Sequence, residues 1–232
     1  MKFSPVKQNT MKQKPEICEE QTRLTTVQPV AVWEHLRREK RLFVDPAHPD
    51  FYGHKYPTAY GWLREQMGQR LYAYQGHYPW WAWIGCEPKC MMKGAWVYGS
   101  GEILVRMELV IARKRLLISE FSAWHSPLNE SYLALSCAEG KAWDQECLTR
   151  FGLDLARLAD LPPDMQARVH LSWERCFDAP LLEESEFFTQ GLYQATFEEL
   201  RLTDVTKMTR FRRRLKSEPT PSKVRRLPEG QP

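Results

Sequence analysis

Residues Ile103 to Leu109, ILVRMEL, decide the fold. Ile103, Val105, Met107 and Leu109 alternate with Leu104, Arg106 and Glu108, and a repeat of two sends successive side chains to opposite faces of a pleated strand. One face is apolar throughout, so it lies on a core. Leu116 to Ser119 follows across the short Ala112 to Lys114 connection and reads as its neighbour. Upstream, Arg23 to Gln28 (RLTTVQ) carries two threonines and a valine and stops at Pro29, which suits a short strand followed by a helix. YPWWAWIG, ending at Gly85, reads as a strand covered on both faces or lining a pocket on one. Leu192 to Leu202 alternates Tyr193, Ala195 and Phe197 with Gln194, Thr196 and Glu198, and a last short strand fits Val205 to Phe211.

Helical spacing fills the gaps. Val32, Trp33 and Leu36 share a face opposite Glu34, Arg37, Arg38 and Lys40, and Tyr60, Leu63, Met67 and Leu71 recur at steps of three and four. Lys141 to Arg150 and Asp164 to Cys176 are two further helices, the second with Met165, Val169 and Trp173 in line. Asp45 to Pro57 is a loop by composition, and Ser122 to Leu135 is irregular with a helical turn. These segments predict one α+β domain over 23–211, a mixed or mostly antiparallel sheet with flanking helices. A disordered lead-in, 1–22, precedes it and a basic disordered tail, 212–232, follows.

A chain of 232 residues that is 43% hydrophobic and 27% charged can bury one substantial core. No apolar run approaches the ~20 residues that cross a bilayer, and the first lysines are followed by no apolar segment of a secretory signal. The expectation is a cytoplasmic protein with no membrane partner. Six cysteines are spread through a chain large enough to fold without staples, so reduced thiols are expected. The net charge of +4 implies no partner by itself, but Lys207 to Arg226 holds nine basic residues against one acidic. A basic tail of that kind attracts nucleic acid by releasing counterions from phosphates.

No Gly-rich phosphate loop, G-x-S-x-G or Cys-x-x-Cys is present. Cys86 and Cys90 have only His77 nearby, short of the four ligands zinc needs, so no metal is expected. His125 is either a general acid or base or a hydrogen-bonded structural histidine. Trp80, Trp81, Trp83 and Trp96 fall within seventeen positions, which suits a cleft where an apolar body meets a polar opening, or equally a Trp-rich core. Gln194, Thr196 and Glu198 project from one face of a strand. That face lies open to water or lines a cleft, with Glu198 or Glu199 at its edge.

Seven motifs in order carry a resemblance: T-x-Q followed by V-W-E-x-L (Thr26, Gln28, Val32 to Leu36), A-Y-x-W (Ala59 to Trp62), Q-M-x-x-R (Gln66 to Arg70), Y-P-x-W-A-W (Tyr78 to Trp83), F-x-x-W-H-x-x-L-N (Phe121 to Asn129), S-W-E-R-x-F-D (Ser172 to Asp178) and Q-A-T-F (Gln194 to Phe197). Over about Leu24 to Phe211 the chain resembles a family of bacterial proteins of unknown function, and departs from its pattern at Glu120 and Glu198. In layout it is also similar, more weakly, to ADP-ribosyltransferase toxins, which modify protein or nucleic acid. That likeness implies NAD as the bound dinucleotide and a transferase whose late strand orients and stabilises an oxocarbenium-like ribosyl cation. By layout Gln194 takes that place, with His125 receiving a proton from the acceptor and Glu199 at the edge. The cleft would be built from Thr26, Gln28, Tyr60, Trp81, Trp83 and Thr196 together with Gln194. The competing expectation is a non-catalytic binding or regulatory module whose Trp-rich surface holds a ligand or a protein partner.

Overall fold

The structure, a computed structural model, describes residues 20–49, 51–85, 101–152, 158–188 and 191–212. Eight strands are present among them: β1 (Gln21–Pro29), β2 (Arg41–Phe43), β3 (Trp80–Ile84), β4 (Ile103–Ala112), β5 (Leu117–Glu120), β6 (Tyr193–Phe197), β7 (Glu199–Arg201) and β8 (Val205–Arg212). Six form one sheet in the order β5-β6-β3-β1-β4-β8, antiparallel at every pairing. β2 and β7 form a separate two-stranded antiparallel sheet. The helices are α1 (Val30–Glu39), α2 (Pro57–Arg70), α3 (His125–Leu128), α4 (Cys137–Phe151), α5 (Pro163–Trp173) and α6 (Ala179–Glu183). The α+β reading with an antiparallel sheet therefore stands.

Two connections depart from the sequence reading. Leu116 to Ser119 does form a strand, but β5 lies at the far edge, four places from β4 rather than beside it. In a flat sheet four places are roughly 19 Å, whereas the five Cα steps from Ala112 to Leu117 reach at most about 18 Å. The connection also contains a 3₁₀ turn at Arg113–Arg115, which shortens it further. The sheet must therefore curl to bring β5 within reach of β4. Arg115 sits in the crossing, donating from Nη1 to Asp204 Oδ1 at 2.9 Å and from Nη2 to the Glu199 carbonyl at 2.9 Å. Leu192 to Leu202 is likewise not one strand. It breaks at Glu198, and the half that joins the main sheet is buried on both faces, so the alternative of a face open to water is overturned.

The ends differ in detail. Gln21 and Thr22, assigned to the lead-in, already pair with Ile111 and Ala112, so the ordered domain starts earlier. Arg212 closes β8, and the remaining tail, like residues 1–19, lies outside the described residues. Cys137, Cys147 and Cys176 are free thiols, while Cys18, Cys86 and Cys90 lie outside the described residues.

Each face of the sheet carries its own core. Leu24, Ala82, Val105, Met107, Leu109, Ile111, Ala195 and Phe197 point to one side and pack with Leu36 of α1 and with Leu42 and Leu200 of the small sheet. The other side, over β3, β6 and β5, receives α2 and the later helices, with Tyr60, Trp62, Trp124, Trp143 and Trp173 inside. Trp62 is edge-on to Trp173 at 5.4 Å and stacked on Phe177 at 5.5 Å. Trp62, Trp124, Trp143 and Trp173 are thus core, while of the sequence cluster Trp80 and Trp81 pack half-buried against the two cores, Trp83 is half-buried, and Trp96 lies outside the described residues.

Helix α4 begins at the N-cap Ser136, whose Oγ accepts from Glu139 N at 3.1 Å, and the Glu139 carboxylate reaches back to accept from Leu135 N, one residue before the cap, at 2.8 Å. Burial pushes the Glu139 carboxyl up, but the Leu135 N–H, Arg175 and the Tyr132 hydroxyl outweigh it and hold the group below the usual carboxylate range. A depressed folded-state value adds stability above the unfolded value, lost as pH falls through the folded one. Glu139→Gln should therefore lower stability at neutral and alkaline pH by a constant amount and flatten the acid limb of a pH-dependent urea titration, leaving the slope of the alkaline limb unchanged. Arg115→Ala removes the clip and strands Asp204, whose Oδ2 is already buried without a partner. We expect a loss of about 2–4 kcal/mol in urea unfolding, and a loss below 0.5 kcal/mol would show that the clip does not hold the curl.

Candidate functional site

Pairing register assembles one row of side chains. Thr25 of β1 stands opposite Trp83, Trp83 opposite Gln194, and Gln194 opposite Ser119. Paired residues point to the same face, so these four line up across four strands. Phe121, just past β5, lies 5.0 Å from the Trp83 ring, and His125 meets Phe121 edge-on at 4.9 Å. The His125 Nδ1–H donates to the Phe121 carbonyl at 3.0 Å. In the neutral ring that fixes Nε2 as the acceptor, and the residue is exposed. Trp83 and Phe121 are half-buried, while Gln194 is only 9% exposed. No side chain among the described residues hydrogen-bonds its carboxamide.

A second row runs beneath the first. Trp81 pairs with Thr196 and Thr196 with Leu117, and the Thr196 hydroxyl donates to the Leu117 carbonyl at 3.2 Å. Tyr60 reaches this row from α2, edge-on to Trp81 at 6.4 Å and to Trp124 at 6.2 Å. Burial pushes its hydroxyl far up, offset in part by the Trp81 indole N–H. This row is core, not cleft.

The remaining expected residues stand elsewhere. Thr26 pairs with Met107, so Thr26 and Gln28 point to the opposite face from Gln194 and Thr196. Gln28 Nε2 donates to Thr26 Oγ1 at 2.9 Å, a contact internal to the other core. The expectation that neighbouring strands bring the four together therefore fails by one residue of register. Glu199 lies on β7, outside the main sheet, and its carboxylate accepts from Arg201 Nε at 2.6 Å and faces Arg41 at 3.9 Å. Tyr60, Trp81, Trp83, His125, Gln194 and Thr196 do share one side of the sheet, and of these Trp83, His125 and Gln194 belong to the first row, where His125 is exposed, Trp83 half-buried and Gln194 buried.

Two residues were missed. Phe121 joins Trp83 to His125, and its place four residues before His125 was the available signal. Glu198, read as the edge of a cleft, instead anchors the loop before β3. It accepts from Gln75 N and His77 N, each at 2.9 Å, and from His77 Nδ1 at 2.9 Å, while His77 stacks on Phe43 at 4.1 Å. Two shallow concavities of about 350 and 260 Å³ lie away from the row, sharing Lys40 at the end of α1. Among the described residues no three His, Cys, Asp or Glu side chains could hold a metal ion, and the Cys86–Cys90 pair lies outside them. No described helix is long and apolar enough to cross a membrane.

Fold and site together define an α+β domain with a curled antiparallel sheet and an aromatic row that includes a carboxamide no described side chain binds. Residues 23–206 match the model of the family described as Domain of unknown function (DUF3841), and the chain belongs to that family. No curated protein and no solved structure matches it.

Glu198→Ala would leave three donors of the 75–77 loop without their acceptor. The expected cost is about 2–3 kcal/mol in urea unfolding, with Trp83 emission unchanged, since that ring lies at the other end of β3. An unfolding midpoint equal to that of the parent chain would contradict the anchoring role.

Proposed function

We propose that the Trp83–Gln194 row is the dinucleotide site of an ADP-ribosyltransferase-like enzyme, with NAD as its substrate. One observation carries the reading: on directly paired strands, a half-buried indole, Trp83, stands beside a carboxamide, Gln194, that no described side chain claims. An indole stacks planar rings, and a carboxamide offers both a donor and an acceptor. That pairing suits the nicotinamide end of NAD, itself a planar ring bearing an amide. NAD supplies the ribosyl group: its bond to nicotinamide breaks as the acceptor's nucleophile attacks the anomeric carbon. His125 Nε2, held outward by the Nδ1–H bond to Phe121, takes the nucleophile's proton. Phe121 fixes the ring by packing against it.

A second reading, a non-catalytic nucleotide-binding module, has its own support. Glu198 and Glu199, the acids closest to Gln194 in sequence, are engaged with the 75–77 loop and with arginines. The row therefore offers an amide where a carboxylate would stabilise developing positive charge far better.

Calorimetry with NAD tests the site, and mass spectrometry of protein and nucleic acid incubated with the chain and NAD tests the transfer. Trp83→Ala should weaken NAD binding by about 10- to 100-fold, the worth of one stacked ring. His125→Ala should leave binding intact and remove any added ADP-ribose. Gln194→Ala tests recognition, with thermal melting as control because the side chain is buried. NAD binding without transfer to either acceptor selects the binding module. No NAD binding by the folded parent chain overturns both readings of the row.

A further inference from the structure

Past Thr25 the same face of the sheet continues onto β4 and β8, and its character changes. Thr25 stands opposite Glu108 and Glu108 opposite Lys207, while Val27, Arg106 and Thr209 form the next row. Arg23 is two residues from Thr25 on the same strand and so shares the face. Neither hydrophobic cluster includes any of these side chains. Arg23, Lys207 and Thr209 are exposed, and Arg106 and Glu108 are half-buried. Two cations share one carboxylate, Arg106 Nη2 at 3.3 Å and Lys207 Nζ at 3.4 Å from Glu108 Oε1, and Arg23, opposite Val110, adds a third on the same face. Arg23 has no ion-pair partner among the described residues.

We infer that this block docks the sugar–phosphate backbone of a nucleic acid, which makes nucleic acid the acceptor class of the proposed transfer. A lysine on an edge strand has a sufficient explanation in guarding the open edge. Arg23 and Arg106 do not, because β1 and β4 are interior strands. Like charges gathered on neighbouring strands repel one another, and a bound anion relieves that repulsion. The hydroxyls of Thr25 and Thr209 add neutral donors of the kind phosphate oxygens accept. A protein acceptor would call for an aromatic or arginine anchor seated in an apolar pocket, and beside the cations the block offers two half-buried valines, Val27 and Val110. Continuity with the row matters too. Lys207, Glu108, Thr25, Trp83 and Gln194 follow one another across five strands, so a strand laid on the block leads toward Trp83. The inference rests on the NAD reading for the transfer step and stands without it for the docking.

The test uses the full chain, a fluorescein-labelled oligothymidylate and anisotropy titrations over a range of KCl concentrations, with NAD calorimetry in parallel. The paired variants are Arg23→Gln with Lys207→Gln and Arg23→Glu with Lys207→Glu, each checked by circular dichroism and thermal melting. Both positions are exposed, and the neutral pair serves where charge reversal disturbs folding. The expected result is a loss of about tenfold or more in affinity at low salt for the reversed pair, with the salt slope reduced by about 1 per lost phosphate contact. NAD affinity should stay at the parent value. Unchanged oligonucleotide affinity in the variants would assign the binding to the basic tail and overturn the block. Absence of binding by the parent chain would overturn it too, as would equal displacement by polyglutamate, which would mark a general polyanion or acidic-protein surface. Loss of NAD affinity in the same variants would assign these cations to the dinucleotide's diphosphate instead. Docking that persists where the parent chain binds no NAD removes the NAD reading alone.

Discussion

Four residues, Arg113 to Leu116, carry the chain from the long strand β4 to the opposite edge of its own sheet, and the sheet has to curl to allow it. That closure brings the turn after β7 against the turn after β4, where a single guanidinium joins them. Arginine suits the position better than lysine, because its planar fork satisfies a carboxylate and a backbone carbonyl from fixed directions at once. With Arg115 only 18% and Asp204 10% exposed at the side chain, the pair is screened little by solvent. The curl has a second consequence: it gives the sheet two cores of different make-up, an aliphatic one under α1 and an aromatic one under α2 and the later helices.

Much of the domain's acid is committed to holding loops. Glu120 is fully buried, and its Oε2 accepts from Ala123 N at 2.6 Å, which sets the turn that delivers Trp124 and His125. Glu139 closes the start of α4 and meets Arg175 at 2.7 Å, Glu198 ties down the 75–77 loop, and Glu199 faces two arginines. A carboxylate that already accepts hydrogen bonds from backbone N–H groups or arginines has little left for a ligand. The Trp83 row is therefore neutral by construction, and the charge on that face stands on the neighbouring β1–β4–β8 block.

Local periodicity was enough to reveal β4 and β6, which alternate over their own length, but not the three-residue β2 or the break that sets β7 apart. It revealed the helices for the same reason: Tyr60, Leu63 and Met67 are all buried on α2. What it left open is the relation between strands. Alternation says that Thr26 and Gln28 share a face, and that Gln194 and Thr196 share a face, but not that these are the same face. The register decides, and it places Thr25, not Thr26, opposite Trp83. Strand order was hidden for a related reason: a short link between two strands normally means a hairpin, and here a 3₁₀ turn and an arginine clip let it cross the curled sheet. The polar positions of β6 misled in a further way. They alternate like a solvated face, yet they are buried, because helices cover the aromatic side of the sheet as well.

On the proposed NAD reading, recognition and chemistry at the row would belong to different atoms. Stacking on Trp83 and amide pairing with Gln194 act equally on a bound ring whether or not a bond is breaking, so they favour the bound state without lowering a barrier. A barrier falls only through groups that act more strongly as charge develops, and on this face the exposed group able to accept a proton is His125, reached through Phe121 and carried by a different element. On that reading the two functions would be separable by mutation: a chain that loses the His125 orientation would keep its ligand, and one that loses Trp83 would keep a well-oriented base with nothing to act on. The sheet fixes the first through strand register and the turn after β5 fixes the second, so the Glu120 bond that shapes this turn is the structural link between them.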